Sequence, residues 1–147
     1  MKKLFIFAIA IIILIAMAYT YTKNNQEKKR ELITTLNPLH CDLNIQDCNY
    51  DFNGQKVSVS LNPKPISSMS ELKLIINNLG NFNNLNARVY GLNMYMGDII
   101  PKFKKINNSY QAKLVLSSCT LDIMRFRIEF FENEKALDFY FDFDVKR

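Results

Sequence analysis

Residues 122–145 read DIMRFRIEFFENEKALDFYFDFDV. Apolar and polar residues alternate almost one by one. In the first half, Met124, Phe126, Ile128 and Phe130 stand opposite Ile123, Arg125, Arg127 and Glu129. In the second, Leu137, Phe139, Phe141, Phe143 and Val145 share one face, and Asp138, Tyr140, Asp142 and Asp144 share the other. A period of two over this length marks strands with one face in a core. Asn133-Glu134 between the halves reads as the turn of a hairpin.

The same pattern extends back along the chain. KVSVSL (56–61) sets Val57, Val59 and Leu61 on one side, and ELKLIIN (71–77) is a mostly buried run. LNARVYGL (85–92) aligns Leu85, Ala87 and Val89; YQAKLVLS (110–117) aligns Tyr110, Ala112, Leu114 and Leu116. Breakers fall between the runs. Asn53-Gly54 separates Tyr50-Asp51-Phe52 from the 56–61 strand as a hairpin turn. Pro63 and Pro65, the loop 77–84, and Asn107-Asn108-Ser109 supply the others. About seven strands at short spacing, with no helix pattern among them, predict an all-β fold: an immunoglobulin-like antiparallel β-sandwich over 38–147, preceded by one N-terminal hydrophobic helix.

The first thirty residues differ from the rest. Residues 1–22, MKKLFIFAIAIIILIAMAYTYT, open with two lysines and continue as an apolar run. Fifteen helical residues, Leu4 to Ala18, span about 22 Å, short of a hydrocarbon core of about 30 Å. Adding Tyr19 to Thr22 brings the span to about 28 Å, with two tyrosines at interface depth. An uncleaved signal anchor and a signal peptide cut after Ala16-Met17-Ala18 both fit. The aromatic pair favours the anchor: a single pass of an inner membrane, with the domain facing the periplasm. Cleavage would instead leave a soluble periplasmic domain. Lys28-Lys29-Arg30 argues for the opposite orientation, since positive flanks stay inside. Residues 23–37 form a polar tether.

Charge follows this division. The net charge is +5, and residues 1–30 account for all of it. Residues 31–147 hold as many acids as bases. A nucleic-acid binder carries its basic surface on the folded domain, so nucleic acid is excluded as a partner. The heavy use of Asn, Lys and Ile reads as the mark of an AT-rich genome.

There are three cysteines. Cys41 and Cys48 are close in sequence, and in an exported domain such a pair is most simply a disulfide. Sequence alone allows three single pairings. If 41 and 48 pair, Cys119 is left as a free thiol.

Enzyme chemistry has little to build on. The chain has one histidine, His40, and no Gly-rich phosphate loop, CxxC or HExxH. A triad would have to use His40 on an edge segment, so no catalytic residue is assigned. The row Asp138, Asp142 and Asp144 reads as the solvated face of a strand rather than a cation site.

The sulfurs are more specific. Within GLNMYMGD (91–98), Met94 and Met96 on a strand would point to one face, about 7 Å apart. Thioether and thiolate sulfur are soft ligands that select Cu(I). Cys119 and Met124 share the later stretch SSCTLDIMRF. If that stretch returns beside 91–98, Met94 and Met96 meet Cys119 or Met124, and Gly91 and Gly97 let the backbone bend there. Against this, M-x-M on a strand is often core, and Met124 alternates with Phe126 and Ile128 as a core residue does.

CDLNIQDC, KVSVSLNPKPI, GLNMYMGDIIPKF and YQAKLVLSSCTLDIMRFRIEF, in that order behind a short anchor, resemble a group of small bacterial periplasmic or membrane-anchored proteins. Those carry Cys-Asp-x5-Cys, a central N-M-x-M-G and a later C-x4-M. The resemblance covers most of residues 41–143. More distantly the layout is similar to FixH-like and YtkA-like β-sandwich domains. It implies copper delivery beside periplasmic copper chaperones that serve haem–copper oxidases. The group's motif falls on Cys41, Cys48, Met94, Met96, Gly97, Cys119 and Met124. This chain departs from it with Thr120-Leu121-Asp122 where a Gly often precedes the Met, and with Phe126 where Trp is common. The expected function is Cu(I) handling in copper homeostasis or oxidase assembly. A metal-free interaction module of a membrane complex is the alternative.

Overall fold

The computed structural model describes Ile9 and residues 11–20, 32–133 and 135–147. Residues 11–20 are helical, and their large apolar side chains are exposed, Ile12 and Leu14 each at 65%. No helix among the described residues is long and apolar enough to cross a membrane. The expected anchor also covers residues 1–8, 10, 21 and 22, which lie outside the described residues, as does most of the tether.

Leu32–Arg147 forms a compact unit of its own. Its eight strands are β1 (Cys48–Phe52), β2 (Gln55–Asn62), β3 (Glu71–Asn77), β4 (Leu85–Gly91), β5 (Lys104–Ile106), β6 (Ser109–Val115), β7 (Ile123–Glu132) and β8 (Lys135–Lys146). They build two antiparallel sheets, ordered β1-β2-β3-β6-β5 and β4-β7-β8. The alternating stretches fall on strands except at their ends: Leu92 lies beyond β4, and Leu116 and Ser117 lie beyond β6. The strand absent from the sequence reading is β5, whose Lys-Lys-Ile is exposed throughout and so carries no burial alternation to read.

The inward faces of both sheets meet in one apolar cluster. Phenyl rings join them: Tyr50 of β1 stacks on Phe141 of β8 at 5.4 Å, and Phe52 meets Phe139 at 5.2 Å. Phe130 of β7 packs on Phe139 at 5.2 Å. Phe126, Phe130, Phe141 and Phe143 are almost wholly buried. Each such side chain contributes about 1.5–3 kcal/mol by leaving water. Among the described residues the core side chains all lie between Leu43 and Val145, so Leu32–Arg147 carries its own core.

Asparagine makes the turns. Asn53 and Gly54 have φ of 50° and 74°, the type I′ geometry that suits a two-residue hairpin. Asn78, Asn107 and Asn133 also have positive φ. Asparagine tolerates the left-handed region better than most residues. Its abundance here therefore has structural uses that composition did not reveal.

Register pairs the outward charges of the smaller sheet. Arg125 faces Asp144 and Arg127 faces Asp142 across β7 and β8. Both pairs are bidentate, with N–O distances of 2.7 and 2.9 Å. The Arg127 guanidinium also lies 4.2 Å from the centre of the Tyr140 ring. Asp142 and Asp144 thus neutralise arginines rather than frame a cation site.

Cys41 and Cys48 are disulfide-bonded. The loop they close is knitted down by side chains. The Asp42 carboxylate accepts from the backbone N–H of Asn44 at 2.9 Å and from its amide at 2.8 Å. These bonds hold the Asp42 pKa below its ordinary value, the side-chain bond contributing most. Leu43 plugs the core from this loop.

Candidate metal centre

Strand β4 ends at Gly91, and the chain then leaves the sheet. Residues 92–98 are a loop, which corrects the strand reading of Met94 and Met96. Three backbone hydrogen bonds in two pairings hold its stem. Leu92 N–H donates to Arg125 O at 2.7 Å, on the β7 side. Val89 and Ile99 exchange two hydrogen bonds of 2.8 Å, on the other side of β4. The Asn93 side chain continues the ladder where the backbone cannot: its amide donates to Ile123 O at 2.9 Å, and its oxygen accepts from Arg125 N–H at 3.0 Å. Arg88 and Asp98 close the far end at 3.4 Å.

Gly91 is the tight point of this bend. A Cβ there would stand 2.1 Å from Met94 O and 2.6 Å from the Met124 methyl carbon. Gly97 takes φ +83°, a conformation that suits glycine. Both glycines therefore serve the bend, for different reasons.

The loop 117–121, between β6 and β7, comes to meet this one. The Cys119 thiol donates to the Met94 thioether at 2.9 Å. Its sulfur also accepts from Leu121 N–H at 3.4 Å. Met94, Met96, Ser118, Cys119, Thr120 and Arg147 line a pocket of about 390 Å³. Met94 and Cys119 are half-buried, Met96 is 36% exposed, and Ser118 and Thr120 are exposed. Three sulfur-bearing residues, Met94, Met96 and Cys119, thus line one open pocket, with the Met94 and Cys119 sulfurs in contact.

Met124 is separate. It is 4% exposed, sits in the core cluster, and does not line that pocket. Its neighbours on β7 explain this: it shares the inward face with Phe126 and Ile128. It does join Cys119 around a much smaller cavity of about 30 Å³. His40 is exposed and forms no ion pair among the described residues. Among the described residues, no three His, Cys, Asp or Glu gather as a hard metal site would require.

Sequence spacing does not point to Asn93. Its signal was available only as its position beside Met94, since the amide's work depends on β7 lying next to it. The chain matches no protein-family model, no curated protein and no solved structure.

Proposed function

We propose that this protein is a membrane-tethered accessory protein, its domain facing the periplasm, that carries Cu(I) on Met94, Met96 and Cys119. The observation that carries the reading is that those three sulfur-bearing residues, from two separate loops, line one open pocket, with the Cys119 and Met94 sulfurs in contact. Soft sulfur donors select Cu(I) over harder divalent ions. A pocket at the rim suits receipt and release of a cargo ion. Met124 supports the site from behind rather than as a ligand. Periplasmic copper chaperones or an oxidase under assembly are the partners this role implies. The apolar helix 11–20 supports the tether, because a helix apolar on all sides is stable only when buried or in lipid.

We also read the sandwich as immunoglobulin-like. With β2 to β8 taken as strands A to G, the orders β2-β3-β6-β5 and β4-β7-β8 match ABED and CFG of a constant-type domain, with β1 added at one edge. The chain lacks the tryptophan of that family, and its disulfide closes a local loop.

The test is anaerobic titration of residues 32–147 with Cu(I) against a competing chelator. One tight equivalent is expected. It should be lost in Met94→Leu/Met96→Leu and in Cys119→Ser, and kept in Met124→Leu. Absence of binding, or binding that ignores these substitutions, overturns the copper reading and leaves a metal-free interaction module.

A further inference from the structure

The outer face of the larger sheet carries a second feature, unconnected with sulfur. A groove of about 540 Å³ is lined by Lys73, Lys102, Lys104 and Lys113, with Ile100 and Ile106 exposed beside them at 67% and 48%. Register sets Lys73 of β3 directly opposite Lys113 of β6. Like charges facing each other across two strands are unfavourable. Only Lys113 has a carboxylate partner among the described residues, Glu71 at 2.8 Å, on the exposed surface. Residues 99–121 contain no Asp or Glu at all. Four of the nine lysines in residues 32–147 thus line one groove.

We propose that this face docks on an anionic lipid surface. Lysines supply point charges to phosphate headgroups, and flanking exposed isoleucines enter the boundary between headgroup and acyl chain. The facing lysines are relieved when a phosphate lies between them. The apolar helix 11–20 in the same chain favours lipid over a soluble acidic partner. The lysine face belongs to the domain itself, so it binds lipid without the helix and independently of copper.

The experiment is co-sedimentation of residues 32–147 with vesicles of phosphatidylcholine, alone and mixed with phosphatidylglycerol. Binding to the mixed vesicles only is expected, weakening as salt rises from about 0.1 M to about 1 M. Each Lys→Gln substitution at 73, 102 and 104 should weaken it about fivefold, and Lys113→Gln less, because Glu71 already pairs with Lys113. Ile100→Ser should weaken it with no change in charge. All these side chains are exposed, and a thermal melt checks that each variant folds. No binding to the mixed vesicles overturns the proposal. So does binding that the lysine variants do not alter. Binding to a soluble polyglutamate peptide but not to vesicles also overturns it, and assigns the face to an acidic protein. Cu(I) affinity is expected to be unchanged in the lysine variants, which separates this surface from the sulfur pocket.

Discussion

The Cys119 thiol donates its hydrogen bond to the Met94 thioether at 2.9 Å, across 25 positions of sequence. Among the described residues Cys119 is the free cysteine, and it is half-buried at the mouth of the pocket. A thiol reagent should therefore label one sulfur in the folded, unreduced domain. It should label three after reduction and unfolding. Saturating Cu(I) should protect Cys119 from labelling, read by mass spectrometry. Labelling at the same rate with and without Cu(I) would show that this sulfur is not a ligand.

Gly91→Ala should damage both the fold and the pocket. The added methyl meets a backbone oxygen, which cannot swing away as a side chain can. Overpacking of this kind costs about 1–3 kcal/mol. Relief requires Met94 to move, so Cu(I) affinity should fall along with stability. Gly54→Ala is the contrast. Nothing lies within 4 Å of its Cβ position, and its penalty is conformational strain at φ +74° alone. Denaturant unfolding and Cu(I) titration of both variants check this; equal copper affinity in the two would refute it.

The two arginine pairs should differ in weight. Arg125 is 7% exposed and Asp144 17%. Arg125 also donates to Asn37 O at 2.6 Å, tying the segment ahead of the disulfide to β7. Its bond to Asp144 raises its pKa and holds it charged. Removing one partner of such a pair leaves a buried charge, and Arg125→Ala should cost about 3–5 kcal/mol. Arg127 and Asp142 are more open, and Arg127→Ala should cost about 1 kcal/mol or less beyond its lost packing on Tyr140. Similar unfolding midpoints for the two variants would contradict this ranking.

Tyr50 sets a pH limit. Burial, aided by the Asp142 charge, pushes its pKa from 10.0 up to about 12. Below the ordinary value both folded and unfolded chains keep the phenol protonated. Above it the unfolded chain ionises first, so stability falls as pH rises towards about 12. Tyr50→Phe should flatten that fall. Urea midpoints at about pH 9 and about pH 11.5 bracket the window. An unchanged slope in the variant would remove Tyr50 as the cause.

Much of the fold was legible because alternation is a local property. Phe126, Ile128 and Phe130 face inward, and so do Phe139, Phe141 and Phe143, for no reason beyond the period of a strand. The turn at Asn53-Gly54 was legible for the same reason, since backbone sterics dictate it residue by residue. Strand β5 was not: three exposed residues pair with β6 without a buried face of their own.

The candidate site was legible in part. Softness and spacing point to Met94, Met96 and Cys119. The strand that was to align the two methionines is in fact a loop, held by Asn93 and bent at Gly91. Met124 met the same chemical criterion and went to the core, because the period of β7 assigned it there.

The sequence by itself determined which residues face inward on each strand, where the hairpins turn, and which atoms are soft enough to hold Cu(I). Those properties reside in a residue and its near neighbours. Only the tertiary structure decided that the 92–98 loop and the 117–121 loop lie side by side, that Arg125 and Arg127 find Asp144 and Asp142, and that Lys73 faces Lys113. Each of those depends on which strands are neighbours and in what register. Pairing between strands distant in sequence is chosen by how both sheets bury their faces together, and no single stretch of chain contains that choice.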